Sequence, residues 1–144
     1  MVSIPEIRER LASFLRDKLK DEDIVVNTDY YPVIDLDDTQ TAITVQPVSF
    51  SAVFSSRASY TVEPKISVTV SKRISGTSRQ ETGDSILTMC GRIINELLGK
   101  GFSGVIVKSV EVDSPVLSEE NISGANVCNS RLVFTLIGFE NRGA

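Results

Sequence analysis

Three aspartates in one short segment are the best candidates in this sequence for metal chemistry. Asp35, Asp37 and Asp38 lie almost side by side, and carboxylate oxygens are the ligands that hard cations prefer. The spacing does not fit a calcium-binding loop, because no glycine occupies the sixth position. We therefore expect no bound metal and interpret the segment as a solvated acidic loop, which we include among the candidates for a protein interface.

A glycine-rich segment at residues 99–104 could in principle hold a phosphate. It follows a predicted helix and precedes a predicted strand, whereas a phosphate-binding loop needs a strand followed by a helix. A helix end with a turn is therefore the better interpretation. The chain contains no histidine, which excludes Ser-His-Asp and Cys-His catalysis and histidine metal sites. No spacing singles out a Ser–Lys pair, so we predict a protein that is not an enzyme and uses no cofactor.

The only two cysteines, Cys90 and Cys128, lie far apart in different predicted elements. Cys90 is on the apolar side of a predicted helix, which favours a small core residue over a nucleophile. Residues 1–6 lack the basic start and apolar run of a secretory signal, so we expect a reducing cytosol and no disulfide between the two cysteines.

Four residues near a predicted hairpin tip are the strongest candidates for a protein–protein interface. Phe50, Phe54, Arg57 and Tyr60 combine aromatic rings with a cation, and these residue types are enriched in interfaces. The alternative is that the aromatic rings fold back on the core of their own domain. If they form an interface, Phe54→Asp or Arg57→Glu should leave the monomer folded and impair assembly.

Two segments, residues 5–20 and 84–99, have the apolar spacing of three and four that is typical of amphipathic helices. Pro5 is suited to the first turn of the first helix, and Asp84 is a good N-cap for the second. The apolar stripe of the first helix consists of Ile4, Ile7, Leu11, Phe14, Leu15 and Leu19. That of the second consists of Ile86, Leu87, Met89, Cys90, Ile93, Ile94, Leu97 and Leu98.

The rest of the chain contains four runs with the alternation or β-branched content of strands. They cover residues 42–50, 60–74, 105–112 and 131–139. Pro47 marks an edge or a bulge in the first run, and the last run is apolar on both faces, as in a central strand. Three stretches are predicted to be loops, at residues 20–41, 49–59 and 114–130.

These elements predict one α+β domain over residues 1–144. We expect a mixed or antiparallel sheet of about four main strands with two helices packed on one face, in the order α-β-β-α-β-β. The formal charge of −4 gives no reason to expect direct recognition of nucleic acid. No window approaches the eighteen or so apolar residues of a membrane span, so we expect no membrane partner.

The order of the elements, taken with the individual segments, resembles the tail terminator (tail completion) proteins of long-tailed bacteriophages. The resemblance is carried by an opening helix over residues 4–20, an extended hairpin over residues 42–74, a helix over residues 84–98 and a closing strand over residues 131–136. It covers nearly the whole chain.

The resemblance implies a structural subunit that forms a homohexameric ring on the tail tube. Such a ring ends polymerisation of the tube protein and presents a surface to the head connector or stopper protein. The expected location is the virion tail or neck, and the host cytoplasm during assembly. Neck stopper and baseplate proteins are comparable in size, so another phage assembly role stays open. Two further alternatives are a small-molecule-binding α+β domain and an adaptor monomer that binds one partner through residues 50–60.

Overall fold

The computed structural model describes residues 4–20, 24–28, 41–54, 59–73, 79–102, 104–114 and 127–141. Two helices and six strands follow one another in the order α-β-β-β-α-β-β-β. The helices are α1 (Ile4–Lys18) and α2 (Arg79–Leu97). The strands are β1 (Ile24–Asn27), β2 (Thr41–Phe54), β3 (Ser59–Arg73), β4 (Gly101–Phe102), β5 (Val105–Ser114) and β6 (Val127–Asn141).

Helix α1 forms where it was predicted, because its apolar residues recur on one side. Ile7, Leu11 and Leu15 are all buried, and this stripe provides the main stabilisation of so short a helix. An ion pair of 3.1 Å between the Arg10 guanidinium and the Glu6 carboxylate, one turn apart, joins two side chains on the wet face. The helix spans Ile4–Lys18 rather than residues 5–20.

Helix α2 begins at Arg79, five residues before the predicted N-cap, Asp84. Thr82 in this added part is 1% exposed, so packing rather than helix propensity decides where the helix starts. The helix is followed by Gly99 with a φ of 82°. This left-handed conformation is the usual C-terminal stop and needs glycine.

The sheet corrects the predicted fold class. Its strand order is β1-β2-β3-β6-β5-β4, with β1 parallel to β2 and every other pair antiparallel. The predicted fold class is wrong, because the described residues form a mixed six-stranded sheet that curls into a half-barrel rather than a sheet of about four main strands. The two additional strands, β1 and β4, are too short to produce a recognisable alternation.

The main strands are longer than the sequence pattern indicated. β2 continues through Phe54 and β3 starts at Ser59, so most of the predicted loop at residues 49–59 is strand. β6 starts at Val127 instead of residue 131. A register shift between Pro47 and Ser49 confirms the predicted irregularity at Pro47, since proline has no N–H for the ladder.

The core lies between the two helices and the apolar side of the sheet. Phe134 and Leu136 on β6 are each 0% exposed. Phe14 on α1 packs edge-on against Phe102 on β4, with ring centroids 5.4 Å apart. The other side of β3 is also buried near its centre, where Ser67 is 0% exposed. Alternation of apolar and polar residues therefore does not mark a solvent face here.

Gly138 on β6 is expected to tolerate no side chain. A Cβ atom there would lie 2.7 Å from Cγ1 of Val105 and 2.9 Å from the carbonyl oxygen of Gly104, closer than real contacts allow. Gly138→Ala should lower the free energy of unfolding by about 1–3 kcal/mol through overpacking. Gly91→Ala on α2 is the control, because a Cβ atom at Gly91 would have no described atom within 4 Å and alanine favours a helix by about 0.5–1 kcal/mol. Urea denaturation of both variants tests this, and equal stabilities would contradict it.

Candidate functional site

The outer edge of β2 is paired with another described strand only at its start. Its neighbour β1 pairs only with Thr41, Ala42, Ile43 and Thr44. Beyond the bulge, from Ser49 to Phe54, β2 pairs with β3, and no other described strand pairs with it there. An unpaired strand edge exposes a row of N–H and C=O groups that can pair with another chain.

The side chains along this edge are exposed and uncharged. Phe50 is 62% exposed and Val48 is 43% exposed, while Ser49, Ser51 and Ala52 are also exposed. No Asp, Glu, Lys or Arg occurs anywhere in Thr41–Phe54. Natural edge strands are commonly protected by charge, bulges or proline, and within this strand the only such devices are Pro47 and its adjoining bulge.

A shallow apolar cavity of about 550 Å³ adjoins the same edge. Its walls come from the first turn of α1 and from the bulged part of β2: Ile4, Pro5, Pro47, Val48, Ser49 and Phe50. The cavity lies beside the bulged part of β2, beyond the residues that pair with β1. The exposed apolar surface is therefore continuous from the start of α1 to Phe50, and we call it the β2 edge surface.

The opposite edge of the sheet has a different character. β4 covers the start of β5 at Val105 and Ile106, and register shifts follow between Val107 and Ser109 and between Val112 and Ser114. Lys108 forms an ion pair of 3.5 Å with Glu63. Bulges and charges of this kind discourage pairing with a further strand. The two edges of the sheet are therefore chemically unlike.

Two buried hydroxyl groups lie on the side of the sheet away from the apolar core. Thr44 is 0% exposed and Ser71 is 1% exposed, and neither Oγ atom has a hydrogen-bond partner among the described residues. Thr44 pairs with Thr69, and Ser71 pairs with Ala42, so the two hydroxyls belong to adjacent rows of the same two strands. A buried hydroxyl without a hydrogen-bond partner destabilises the folded chain.

Cys90 is a free, buried thiol on α2. Burial raises the pKa of its thiol above the ordinary value, and a hydrogen bond with the Ser130 side chain opposes this shift. The thiolate is the reactive form, so the pKa change keeps Cys90 unreactive at neutral pH. The interpretation of Cys90 as a small core residue is confirmed by its 5% exposure.

The structure describes the predicted interface residues only in part. Phe50 lies on the β2 edge surface, as described above. Phe54 and Tyr60 are opposite each other in the β2–β3 ladder, and their side chains are outside the described part. Arg57 also lies outside the described residues. The three acidic candidates Asp35, Asp37 and Asp38 lie outside them too.

Val48 and the start of α1 were not among the residues predicted for the interface. Ile4 and Pro5 were interpreted only as parts of a helix, because their distance in sequence from Pro47 hides that they are neighbours in space. One signal was available: the uncharged stretch from Thr41 to Phe54 is unusual for a strand that lies at an edge.

Neither a metal centre nor a membrane span is found in the described part of the chain. Among the described residues, no three His, Cys, Asp or Glu side chains form a group that could hold a metal ion. Within the same residues, no helix combines the length and apolar content needed to cross a membrane. No protein-family model matches this chain, and no curated protein shows significant similarity to it.

Proposed function

We propose that this protein is a tail terminator, a non-enzymatic structural protein of a bacteriophage virion. In this role, copies of the chain form a homohexameric ring on the end of the tail tube. The ring stops addition of tube protein and joins the tail to the head connector or stopper protein. The proposal rests on the resemblance in element order and on the properties of the β2 edge surface.

The observation that carries the proposal is the contrast between the two edges of the sheet. One edge is open and uncharged, with Phe50 62% exposed, and the other is bulged and carries Lys108 in an ion pair with Glu63. A contact between two unlike surfaces repeats from copy to copy and closes into a ring when the rotation permits. A chain with unlike edges therefore has the asymmetry that ring assembly needs.

Phe50 supports an assembly role over a role as a soluble monomer. Exposed aromatic side chains next to apolar cavities are typical anchors of protein interfaces. The neighbouring cavity at Ile4, Pro5 and Val48 extends this apolar surface. A contact of this kind stabilises an assembly because it removes several exposed apolar groups from water at once.

The test is the mass and shape of the assembly formed with and without tail tubes. We expect native mass spectrometry to detect a species of six chains, and electron microscopy to place a ring at the end of tubes that otherwise grow without limit. A six-chain ring that binds the baseplate end, or a connector in the absence of tubes, would favour the alternative phage assembly roles. A monomer that keeps a small molecule through purification, and leaves tube length unchanged, would contradict the proposal.

A further inference from the structure

We propose that, in the free protein, two copies pair antiparallel through the β2 edge across a two-fold axis. The pairing would join two six-stranded sheets into one continuous sheet. This inference concerns the free chain before it meets any other protein. The β2 edge cannot hold two partners at once, so a ring contact on the tail tube would replace this pairing.

The position of the pairing follows from where β2 is open. No described strand pairs with its outer side from Ser49 to Phe54. Pro47 has no N–H to donate, and the bulge between Pro47 and Ser49 interrupts the regular spacing of the ladder. The regular, available part of the edge is therefore residues 49–54, which is long enough for a strand.

The occupant is a strand of this same chain because the edge is complementary to itself. Residues 49–54 contain no charged side chain, so two copies bring no like charges together. An antiparallel pair of identical strands is related by a two-fold axis and uses the same surface twice. The β5 edge is the poorer partner, because register shifts after Val107 and Val112 leave only a short regular stretch between them.

The register of the pairing follows from the geometry of an antiparallel ladder. Along β2, the backbone groups of alternate residues point outward, and outward-pointing residues must face each other across the new ladder. The two-fold axis therefore passes through the position of one residue. An axis at Ser51 places the large side chain of Phe50 opposite the small one of Ala52, whereas an axis at Phe50 would place two aromatic rings directly opposite each other.

The paired arrangement also covers the exposed apolar surface. In the register centred on Ser51, the second strand extends along the edge past Phe50 to Val48, the large apolar residues of the edge that are described as exposed. There it reaches the cavity lined by Ile4 and Pro5. Both copies gain this coverage at the same time, since the contact is symmetric.

Disulfide trapping tests the pairing and its register together. Residues directly opposite in an antiparallel pair have Cα atoms about 4.5–5.5 Å apart, within the range of a disulfide. Ser51→Cys would place two thiols there, which oxidised glutathione can join by taking up their two electrons and two protons. We expect a covalent dimer to form from most of the purified chain, at least ten times faster than for Ser49→Cys. The unchanged chain, with Cys90 and Cys128, is the blank.

Sedimentation of the unchanged protein over a range of concentrations is the second measurement, and we expect a reversible monomer–dimer equilibrium. Equal trapping of the Ser51→Cys and Ser49→Cys variants would overturn the proposal, and so would a monomer at all concentrations. These results are separate from the ring test. The tube assay uses the unchanged chain, because a disulfide at Ser51 would block the same edge. A six-chain ring on tail tubes with no trapped dimer would overturn only this inference. Trapping of the Ser51→Cys variant, together with tubes of unlimited length in the presence of the unchanged chain, would overturn only the proposed function.

Discussion

Leu97→Ala is expected to lower the free energy of unfolding by about 2–5 kcal/mol. Leu97 is 0% exposed at the end of α2 and belongs to the core that includes Phe134 and Leu132. Shortening the side chain removes favourable transfer energy and leaves a cavity that the curled sheet cannot close by moving. Urea denaturation followed by circular dichroism gives the change directly.

The neighbouring residue is a matched control for this variant. Leu98 is 48% exposed and has the same side chain, so Leu98→Ala should change the stability by less than about 0.5 kcal/mol. An equal loss for the two variants would mean that the side of α2 that faces the core has been assigned wrongly. No loss for Leu97→Ala would have the same meaning.

Phe50→Asp is expected to abolish ring assembly while leaving the monomer folded. Phe50 is 62% exposed, so its own domain loses little when it is replaced. In an interface, however, the new carboxylate would be taken out of water without a partner, which costs several kcal/mol. The melting temperature should stay within a few degrees, and the variant should fail to complement a phage that lacks the protein.

Leu87→Asp is the matched control for Phe50→Asp. Leu87 is a similarly exposed apolar residue, at 54%, but lies on α2 away from the β2 edge surface. We expect this variant to fold and to assemble rings. Full complementation by Phe50→Asp would rule out the β2 edge surface as the contact. A large fall in its melting temperature would instead assign Phe50 to the packing of its own domain.

Sequence alone located the helices and the four long strands with useful accuracy. Local spacing decides these elements, because a helix or strand with one buried side repeats its apolar residues at a fixed period. Leu11 and Leu15 on α1 are buried, as this spacing predicted. The N-terminal extension of α2 to Arg79 was missed, since the apolar pattern starts only near Ile86.

Of the residues on the β2 edge surface, only Phe50 was chosen from the sequence. Phe50 was chosen because aromatic residues near a hairpin tip favour an interface, and it is exposed. The cavity beside it was not predictable, because Ile4 and Pro47 meet only when α1 packs against β2. The interface role of all seven candidates stays a prediction: Phe50, Phe54, Arg57, Tyr60, Asp35, Asp37 and Asp38.

What the sequence by itself determined is where the two helices and the four long strands lie and which apolar residues form much of the core, since local periodicity and apolar side chains specify these. The class of sheet was decided only by the tertiary structure. Ile24–Asn27 and Gly101–Phe102 become strands because β2 and β5 supply hydrogen-bond partners at the two edges. A segment of two to four residues has too few side chains to show a period, so its structure depends on the backbone that happens to lie beside it. The open edge of β2 follows in the same way, because it exists only where β1 ends.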